Sequence, residues 1–550
     1  MDKIFYNAVV QTMDEKNSVY EAVGIEDNII TFLGTNKEAE EINAAEKIDL
    51  KGKLILPSFA DTHLHILHYA LAESMVKLAD CFSLKEVIER GKAHLKEEGV
   101  KFGWLLGRGW NQNKFSDTNE FITKDDLDEI STEVPIFFSR VCGHMATVNS
   151  KGLEKILAME KAEELSEYID EETGILTESA VSLKTELLNK ITVEEIEELL
   201  VKAHKDLNKV GITGVHSADF STVSDDKWKK VIKAYKSLEK KDRLNVRTYE
   251  QCMFNDIDII ENFIADGYKT GDGSELFKIG PLKILADGSL GARTAYMNDV
   301  YSDDESTKGI LIFSREELES IFEKAHKNGL QIAVHAIGDA AIELNNELLN
   351  EINKNYEPEV GKKLKKNAEV NELEEINPLR HGVVHAQFTN EKILNEMKKG
   401  DLLAYIQPVF IDSDMEIAES RVGSERLKKS YAWKSMKDLG IKTAGGSDSP
   451  VESFDIMENI YFAVTRKNRE LKPEGGWLPE EKLSVEEAVR LFTTDAAYAS
   501  FEENIKGSIE KGKLADMVVL DKNIFEIDED EIKDTEILYT IMDGEIVFSV

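Results

Sequence analysis

From Leu54 onward, short apolar runs that read as strands alternate with longer stretches of helical periodicity. This alternation is typical of a parallel sheet whose strands are joined by crossover helices. It predicts a (β/α)₈ barrel with strands at residues 54–63, 211–217, 244–250, 279–286, 331–336, 382–386, 402–407 and 441–447. A bare barrel needs about 250 residues, whereas the chain has 550. Additional parts are therefore expected.

Both chain ends read as β-rich segments. The last segment contains ILYTIMDGEIVFSV, in which Asp543-Gly544 predicts a hairpin turn between alternating strands. The interval between the first two barrel strands is far longer than an ordinary βα connection, so it predicts an insertion. We expect an α/β protein made of a small composite β-sandwich domain (1–55 and 506–550), the barrel (56–75 and 206–505) and an inserted α/β subdomain over the barrel mouth (76–205).

Composition excludes some classes of partner. The formal net charge is −37, from 105 acidic and 68 basic side chains, and such a field repels phosphate backbones and anionic lipid heads. We therefore expect no nucleic-acid or membrane partner. The start of the chain lacks the features of a secretory signal, which predicts a cytoplasmic protein. The 3 cysteines have no CxxC spacing and are expected to be buried free thiols.

Histidines follow the ends of several predicted barrel strands. LPSFADTHLH places His63 and His65 two residues apart, and the period of a strand directs both imidazoles to the same side. QIAVHAIGD carries His335, RHGVVHAQF carries His385, and IKTAGGSDSPV puts Asp448 at the tip of the last strand. Each histidine alone is explained more simply as a hydrogen-bonded core residue. Together they predict a metal site, because catalytic side chains gather at the carboxyl ends of barrel strands and imidazole suits divalent metals.

Lys283 lies in the apolar run GPLKILADGS of the fourth predicted strand, where an unpaired ammonium is costly. A lysine buried near cations loses its proton readily, and the neutral amine can take up carbon dioxide as a carbamate able to bridge two metals. An ion pair with Asp287 or Asp448 is the alternative, and the residue alone favours that alternative.

Taken together, these segments resemble the amidohydrolase superfamily, specifically its YtcJ-like branch, which includes N-substituted formamide deformylases. The resemblance runs almost end to end, and its specificity lies in the joint order and spacing of the segments. They are LPSFADTHLH, GRGWNQ, PIFFSRVCGH, GILTES, GITGVHSAD, LKILADGSLGARTAYM, AVHAIGDAAI, RHGVVHAQF, GSDSPVES and KGSIEKGKLADMVVLD.

The resemblance implies a divalent metal cofactor, with zinc expected as one or two ions. The implied metal ligands are His63, His65, Lys283, His335, His385 and Asp448. In a binuclear site His63 and His65 would bind one ion, His335 and His385 the second, and Lys283 would be the carboxylated bridge formed with carbon dioxide. Val384 stands where relatives commonly carry an acidic residue before the histidine, a departure that changes the surroundings of His385.

The implied activity is hydrolysis of a C–N bond in a small-molecule, non-peptide amide such as an N-substituted formamide. Metal-bound hydroxide would attack, with Asp448 as general base and then general acid. His144 is a candidate catalytic donor to the substrate oxyanion, with structural packing as the alternative. Trp110, Arg293 and Gln407 are candidate substrate contacts. His204 and His326 read as exposed helix positions.

Two other functions compete with amide hydrolysis. A deaminase of the same fold often carries a glutamate near the fifth strand, whereas this strand reads HAIGDAA, so the amide hydrolase is preferred. A catalytically silent metal-binding protein would be favoured by a missing ligand, but every expected ligand type is present. The sequence leaves a homodimer open as the assembly.

Overall fold

The computed structural model describes residues 1–184, 191–223, 227–254, 256–359, 364 and 376–550. These residues fall into two compact units. The first comprises Met1–Ile66, His204–Ser221 and Glu239–Val550, and the second comprises Leu67–Ala203 and Thr222–Leu238. No helix in the described ranges has the length and apolar content that crossing a lipid bilayer requires.

The first unit contains a sheet of 8 strands in sequential order, and every neighbouring pair is parallel. The side chains of these strands are almost all buried, as expected when both faces of a parallel sheet are covered. The barrel strands, first to eighth, are Phe59–Leu64, Ile212–Ser217, Arg247–Met253, Phe277–Leu285, Ile332–Ala336, Gly382–His385, Leu403–Ile406 and Thr443–Gly445. The predicted barrel is confirmed, with strand boundaries shifted by a few residues.

Hydrogen bonds connect the first and eighth barrel strands. Thr62 Oγ1 donates to the carbonyl oxygen of Gly445 at 2.9 Å, and the N–H of Asp448 donates to the carbonyl oxygen of His63 at 2.7 Å. The sheet is thereby nearly closed, and the carboxyl ends of its strands meet at one rim.

The predicted start of the first barrel strand is wrong. Residues 54–57 belong to a different strand, Glu46–Pro57, which pairs with Met517–Leu520 in another sheet. The chain changes sheets at Ser58, since the next residue, Phe59, donates its N–H to Gly211 in the barrel. All side chains from 54 to 60 are buried, so hydrophobicity gives no sign of the change.

Helices follow the barrel strands, and their apolar residues recur at helical spacing. In Arg315–Lys327 the buried face includes Phe322 and, one turn later, His326, which is 0% exposed. His326 was predicted to be exposed, and that prediction is wrong because its ring packs against His381 and bonds with it at 2.8 Å. The helices of the first unit are Asn36–Glu41, Ile257–Ala265, Arg315–Lys327, Asp339–Asn355, Glu391–Lys399, Ile411–Asp414, Ala418–Leu427, Trp433–Leu439, Ile456–Thr465, Val485–Leu491 and Thr494–Ala499.

Both chain ends contribute to one further sheet of 8 strands in the first unit. Its core contains Phe5 and Val23 from the start of the chain and Val519 and Ile541 from its end. Asp543 and Gly544 have left-handed backbone angles and join the last two strands, as predicted. The strands are Lys3–Gln11, Val19–Tyr20, Ala22–Glu26, Ile29–Gly34, Glu46–Pro57, Met517–Leu520, Ile537–Met542 and Glu545–Ser549. They form one continuous hydrogen-bonded sheet to which both chain ends contribute.

The second unit has its own sheet of 6 strands and its own core. The strands are Val76–Lys77, Leu105–Trp110, Ile136–Arg140, Met145–Val148, Ile169–Asp170 and Ile175–Thr177. The helices that begin or lie in this part of the chain are Ile66–Glu73, Leu84–Glu97, Lys124–Asp128, Ser150–Leu157, Val193–Lys209 and Trp228–Lys240.

His204, on the helix Val193–Lys209, is 1% exposed, so its predicted exposure is wrong. Cys81 and Cys252 are buried as expected, but Cys142 is exposed.

Candidate metal centre

The histidine pair at the end of the first barrel strand lies beside Asp448. Nε2 of His63 and Nε2 of His65 lie 3.3 and 3.2 Å from Asp448 Oδ1. On the opposite side of each ring, His63 Nδ1 lies 2.7 Å from Gln251 Oε1, and His65 Nδ1 lies 3.2 Å from the carbonyl oxygen of Ala218. Because both acceptors require a proton on Nδ1, each Nε2 can act as a metal ligand. Ligand atoms of the three residues all lie within 4.8 Å of one another.

Backbone contacts bring Asp448 to the histidines. Its own N–H bonds to His63, and the N–H of His65 donates to the carbonyl oxygen of Ser449 at 2.8 Å. A Cβ atom on Gly446 would lie 2.6 Å from the backbone nitrogen of His63. The loop after the eighth strand therefore approaches the first strand so closely because residue 446 is a glycine.

His335 and His385 continue the cluster along the rim. Their ring centroids are 4.5 Å apart, and the ring of His385 is 5.5 Å from that of His63. His335 Nε2 lies 3.1 Å from the carbonyl oxygen of Gly288, whereas His385 Nδ1 lies 2.8 Å from Gln407 Oε1. The structure thus brings together all four histidines predicted as ligands.

Burial sets the charges of this cluster. It lowers the pKa of His63 to about 4 and that of His335 to about 3, and it lowers the pKa of His385 well below the usual value. These imidazoles are therefore neutral near pH 7, the form that binds a metal ion. Burial acts to raise the pKa of Asp448, but the neighbouring histidines outweigh it and hold that pKa well below the usual value. Asp448 is therefore a carboxylate.

Lys283 is 1% exposed on the fourth barrel strand. Burial lowers its pKa to about 8, although Asp448 and Asp287 act in the opposite direction. Within the described part of the chain, neither carboxylate lies within 4.0 Å of its ammonium, so the simple ion pair is not formed. Asp287 instead accepts the N–H groups of Ile337 and Gly338, at 3.1 and 2.9 Å, and lies 3.4 Å from His335 Nε2.

The residues present fit a divalent cation. His385 Nε2 is buried and has no hydrogen-bond partner among the described residues, which is costly for a polar atom unless a ligand binds it. Each of the four histidines has its other ring nitrogen on an amide or backbone oxygen, the arrangement that orients metal-binding imidazoles. Imidazole nitrogens together with a carboxylate form a donor set suited to zinc and similar ions.

Gln407, a predicted substrate contact, has a different role in the structure. It is 4% exposed, its Oε1 accepts from His385, and its Nε2 donates to the carbonyl oxygen of Tyr405 at 3.2 Å. Its side chain therefore orients a histidine of the cluster.

The other predicted substrate contacts and His144 have hydrogen-bond partners of their own in the structure. Trp110 is 0% exposed in the core of the second unit, where its Nε1 donates to the carbonyl oxygen of Phe138 at 3.0 Å. This is the packing role that aromatic residues of an insertion commonly have. Arg293 binds Asp303 through two hydrogen bonds of 3.1 and 3.0 Å. The side chain of His144 is 74% exposed and pairs with Glu178. Substrate contact by these three residues stays a prediction.

Sequence reasoning missed the supporting roles of three polar residues in the cluster. Gln251 orients His63, Asp287 contacts His335, and Asp61 accepts the N–H of His63 at 3.0 Å and that of Ser447 at 3.1 Å. The available signal was their position, since each is a polar side chain in or directly after an apolar barrel strand. Such residues are rarely buried without a hydrogen-bonding purpose.

Comparisons with known proteins agree with this geometry. Residues 46–548 match the amidohydrolase family. The chain is 30% identical to the protein YtcJ of Bacillus subtilis (strain 168) over 100% of this chain and 99% of that protein. It is 24% identical to the N-substituted formamide deformylase of Arthrobacter pascens over 99% of this chain and 97% of that enzyme.

A solved structure extends the likeness to three dimensions. An uncharacterized metal-dependent hydrolase from Pyrococcus furiosus matches with a TM-score of 0.76 and 27% identity, covering 95% of this chain and 100% of that chain. The chain therefore belongs to the amidohydrolase family of metal-dependent hydrolases.

Proposed function

We propose that this enzyme hydrolyses the C–N bond of a small, non-peptide amide, and that N-substituted formamides are its substrate class. The observation that carries the proposal is the convergence of His63, His65 and Asp448 within 4.8 Å at the carboxyl ends of barrel strands. The substrate class is supported by similarity to a relative named N-substituted formamide deformylase, which extends over nearly the whole chain.

A bound divalent cation would supply an acidified water molecule and a polarised substrate carbonyl. His63, His65 and Asp448 would hold one ion, with His335 and His385 available for a second. Lys283 is suited to become a carbamate in the second case, because its buried amine has a pKa of about 8 and no close carboxylate among the described residues. The amine nitrogen would add carbon dioxide and release one proton.

Asp448 is the proton carrier in this proposal. Its carboxylate would accept a proton from the attacking water and deliver it to the departing nitrogen, so that the C–N bond breaks as the amine leaves. A positioned acid–base group of this kind contributes about 10²- to 10⁴-fold to the rate. The neighbouring histidines hold the pKa of Asp448 well below its usual value and so favour the carboxylate, the form in which it could take up a proton.

A substrate panel tests the proposal. Zinc-loaded enzyme is incubated with N-alkyl and N-aryl formamides, the matching acetamides and aminopurines, and formate, acetate and ammonia are measured. We expect formate release from the formamides and its loss on chelation. Ammonia release from aminopurines alone would instead identify a deaminase, and no hydrolysis by metal-loaded enzyme would overturn the proposal.

Asp448→Asn tests the proton carrier separately. The variant should retain bound zinc, because the asparagine side chain can still bind the ion. It should lose about 10²- to 10⁴-fold in turnover, because asparagine cannot accept the proton of the attacking water. Asp530→Asn is a control, since this partly exposed residue pairs with Lys467 outside the cluster. Full turnover by Asp448→Asn with bound zinc would remove Asp448 from this role.

A further inference from the structure

The turn after the second barrel strand forms hydrogen bonds with the residues on both sides of His65. Before it, the N–H of Ala218 donates to the carbonyl oxygen of Leu64 at 2.9 Å. After it, the N–H of Ile66 donates to Ser217 Oγ at 2.9 Å. Between these bonds, the carbonyl oxygen of Ala218 accepts a hydrogen bond from His65 Nδ1 at 3.2 Å. The position of this turn therefore decides where the His65 ring points.

Glu250, on the third barrel strand, holds the same turn from the other side. Its Oε1 accepts the N–H groups of Asp219 and Phe220, at 2.9 and 3.1 Å. These two residues directly follow Ala218, whose carbonyl oxygen orients His65. Ser217 Oγ adds a third connection by donating to Asp219 Oδ1 at 2.7 Å.

Burying the carboxyl group of Glu250 at this position is energetically unfavourable. Glu250 is 0% exposed, and its Oε2 is buried with no hydrogen-bond partner in the described structure. Burial, together with the nearby carboxylate of Asp219, raises the pKa of Glu250 well above its usual value. An apolar residue would avoid the cost of burying an unpartnered oxygen, but it could not bind the turn.

Gln251, the next residue along the strand, also orients a histidine of the first barrel strand. Successive strand residues face opposite sides, and Gln251 uses the other side of the strand to orient His63. The third barrel strand thus helps to orient both histidines of the first strand. Gln251 contacts His63 directly, whereas Glu250 acts on His65 through the turn.

We propose that Glu250 is a positioning residue that fixes the imidazole of His65 by holding the turn formed by Ser217, Ala218, Asp219 and Phe220. The inference rests on the proposed function in one respect, namely that His65 binds a metal ion. In metal-free enzyme it requires only that His65 Nδ1 carry a proton bound to the carbonyl oxygen of Ala218.

The test compares four variants with the wild type. Glu250→Gln keeps an oxygen for the two N–H groups, whereas Glu250→Asp is too short to reach them and Glu250→Leu has no acceptor. Glu481→Leu is the matched control, because Glu481 is also a buried carboxylate, 1% exposed, that accepts a backbone N–H, that of Ser435 at 2.8 Å. It has no described contact with the turn or with His65.

The first readout is NMR of ¹⁵N-histidine in metal-free protein, with the His65 signals assigned through His65→Gln. We expect a protonated Nδ1 in the wild type and in Glu250→Gln, and loss of that state in Glu250→Asp and Glu250→Leu. The second readout is zinc affinity by chelator competition, which should fall by about 10- to 100-fold in the same two variants. Glu481→Leu should lower the melting temperature without changing either readout.

Each contrary result overturns the inference. Wild-type His65 signals in Glu250→Asp or Glu250→Leu would do so, as would an equal change in Glu481→Leu. If Glu250→Leu does not fold, Glu250→Asp alone decides. Because the NMR readout needs neither metal nor turnover, a failure of the proposed amide hydrolysis is recorded separately, by the substrate panel.

Discussion

Replacing Gln407 with leucine tests whether neutral amide side chains set the orientation of the metal-binding histidines. Gln407 Oε1 accepts from His385 Nδ1 at 2.8 Å, and the two residues are 4% and 3% exposed. Leucine has a similar size but no acceptor, so the buried Nδ1 proton of His385 would lose its partner. An unsatisfied buried donor costs about 1–3 kcal/mol.

That cost predicts the loss of metal affinity. A free-energy change of about 1.4 kcal/mol is tenfold in affinity, so about 1–3 kcal/mol corresponds to roughly 5- to 150-fold. This range includes the roughly 10- to 100-fold effect usual for a residue that orients a metal-binding histidine. We expect zinc binding to Gln407→Leu, measured by competition with a chromogenic chelator, to weaken by this factor. Gln251→Leu should have the same effect through His63, whose Nδ1 lies 2.7 Å from Gln251 Oε1.

Gln331→Leu separates metal affinity from stability. Gln331 is 0% exposed, accepts from the hydroxyl of Tyr249 at 2.8 Å and donates to the carbonyl oxygen of Arg380 at 2.7 Å. This variant should unfold at lower urea concentration and bind zinc as the wild type does. The reasoning is refuted if Gln407→Leu retains wild-type affinity, or if Gln331→Leu loses affinity to the same extent.

Three further substitutions, the first with a matched control, test the packing and the buried ion pairs of the fold. Gly446→Ala should lower the free energy of unfolding by about 1–3 kcal/mol and weaken zinc binding, because its Cβ would lie 2.6 Å from the backbone nitrogen of His63. Gly291→Ala is the control and should have neither effect, because the space around Gly291 is open. Asp516→Ala should cost about 1–3 kcal/mol in urea unfolding, because the buried Arg247 loses its two hydrogen bonds to Asp516 and is left with Asp543 as its carboxylate partner; a loss well below about 1 kcal/mol, as for an exposed pair, would contradict this. Burial acts to raise the pKa of Glu502, but two lysines hold it far below its ordinary 4.5, so its stabilisation is present above that pH and lost as the pH falls below it. The difference in unfolding free energy between wild type and Glu502→Gln should therefore shrink on acidification; a constant difference would refute the ion-pair explanation.

The barrel could be predicted from sequence because its signal is local. Each strand is a short apolar run between helical stretches, and the histidines mark where several runs end. The terminal hairpin was equally local, since Asp543-Gly544 can adopt the left-handed angles of a tight turn. The same local signal failed at Pro57, because the strands before and after it are both buried and only the pairing partner changes.

The contacts that orient the histidines could not be predicted, because they join residues far apart in the chain. His63 and Gln251 are separated by 188 positions, and His65 and Ala218 by 153. Gln251 lies in none of the segments named in the sequence analysis, and the sequence does not show which side chain contacts a backbone carbonyl such as that of Ala218. Gln407 was predicted as a substrate contact, but its contact in the structure, His385, depends on the register of the sixth and seventh strands.

The central claim is that His63, His65 and Asp448 bind one metal ion together, with His335 and His385 beside it. A crystal structure of zinc-soaked protein, with anomalous data collected on both sides of the zinc edge, measures this directly. We expect an anomalous peak about 2.0–2.2 Å from the ring nitrogens of His63 and His65 and from an oxygen of Asp448. A zinc peak bound elsewhere, with these three side chains uncoordinated, would contradict the account.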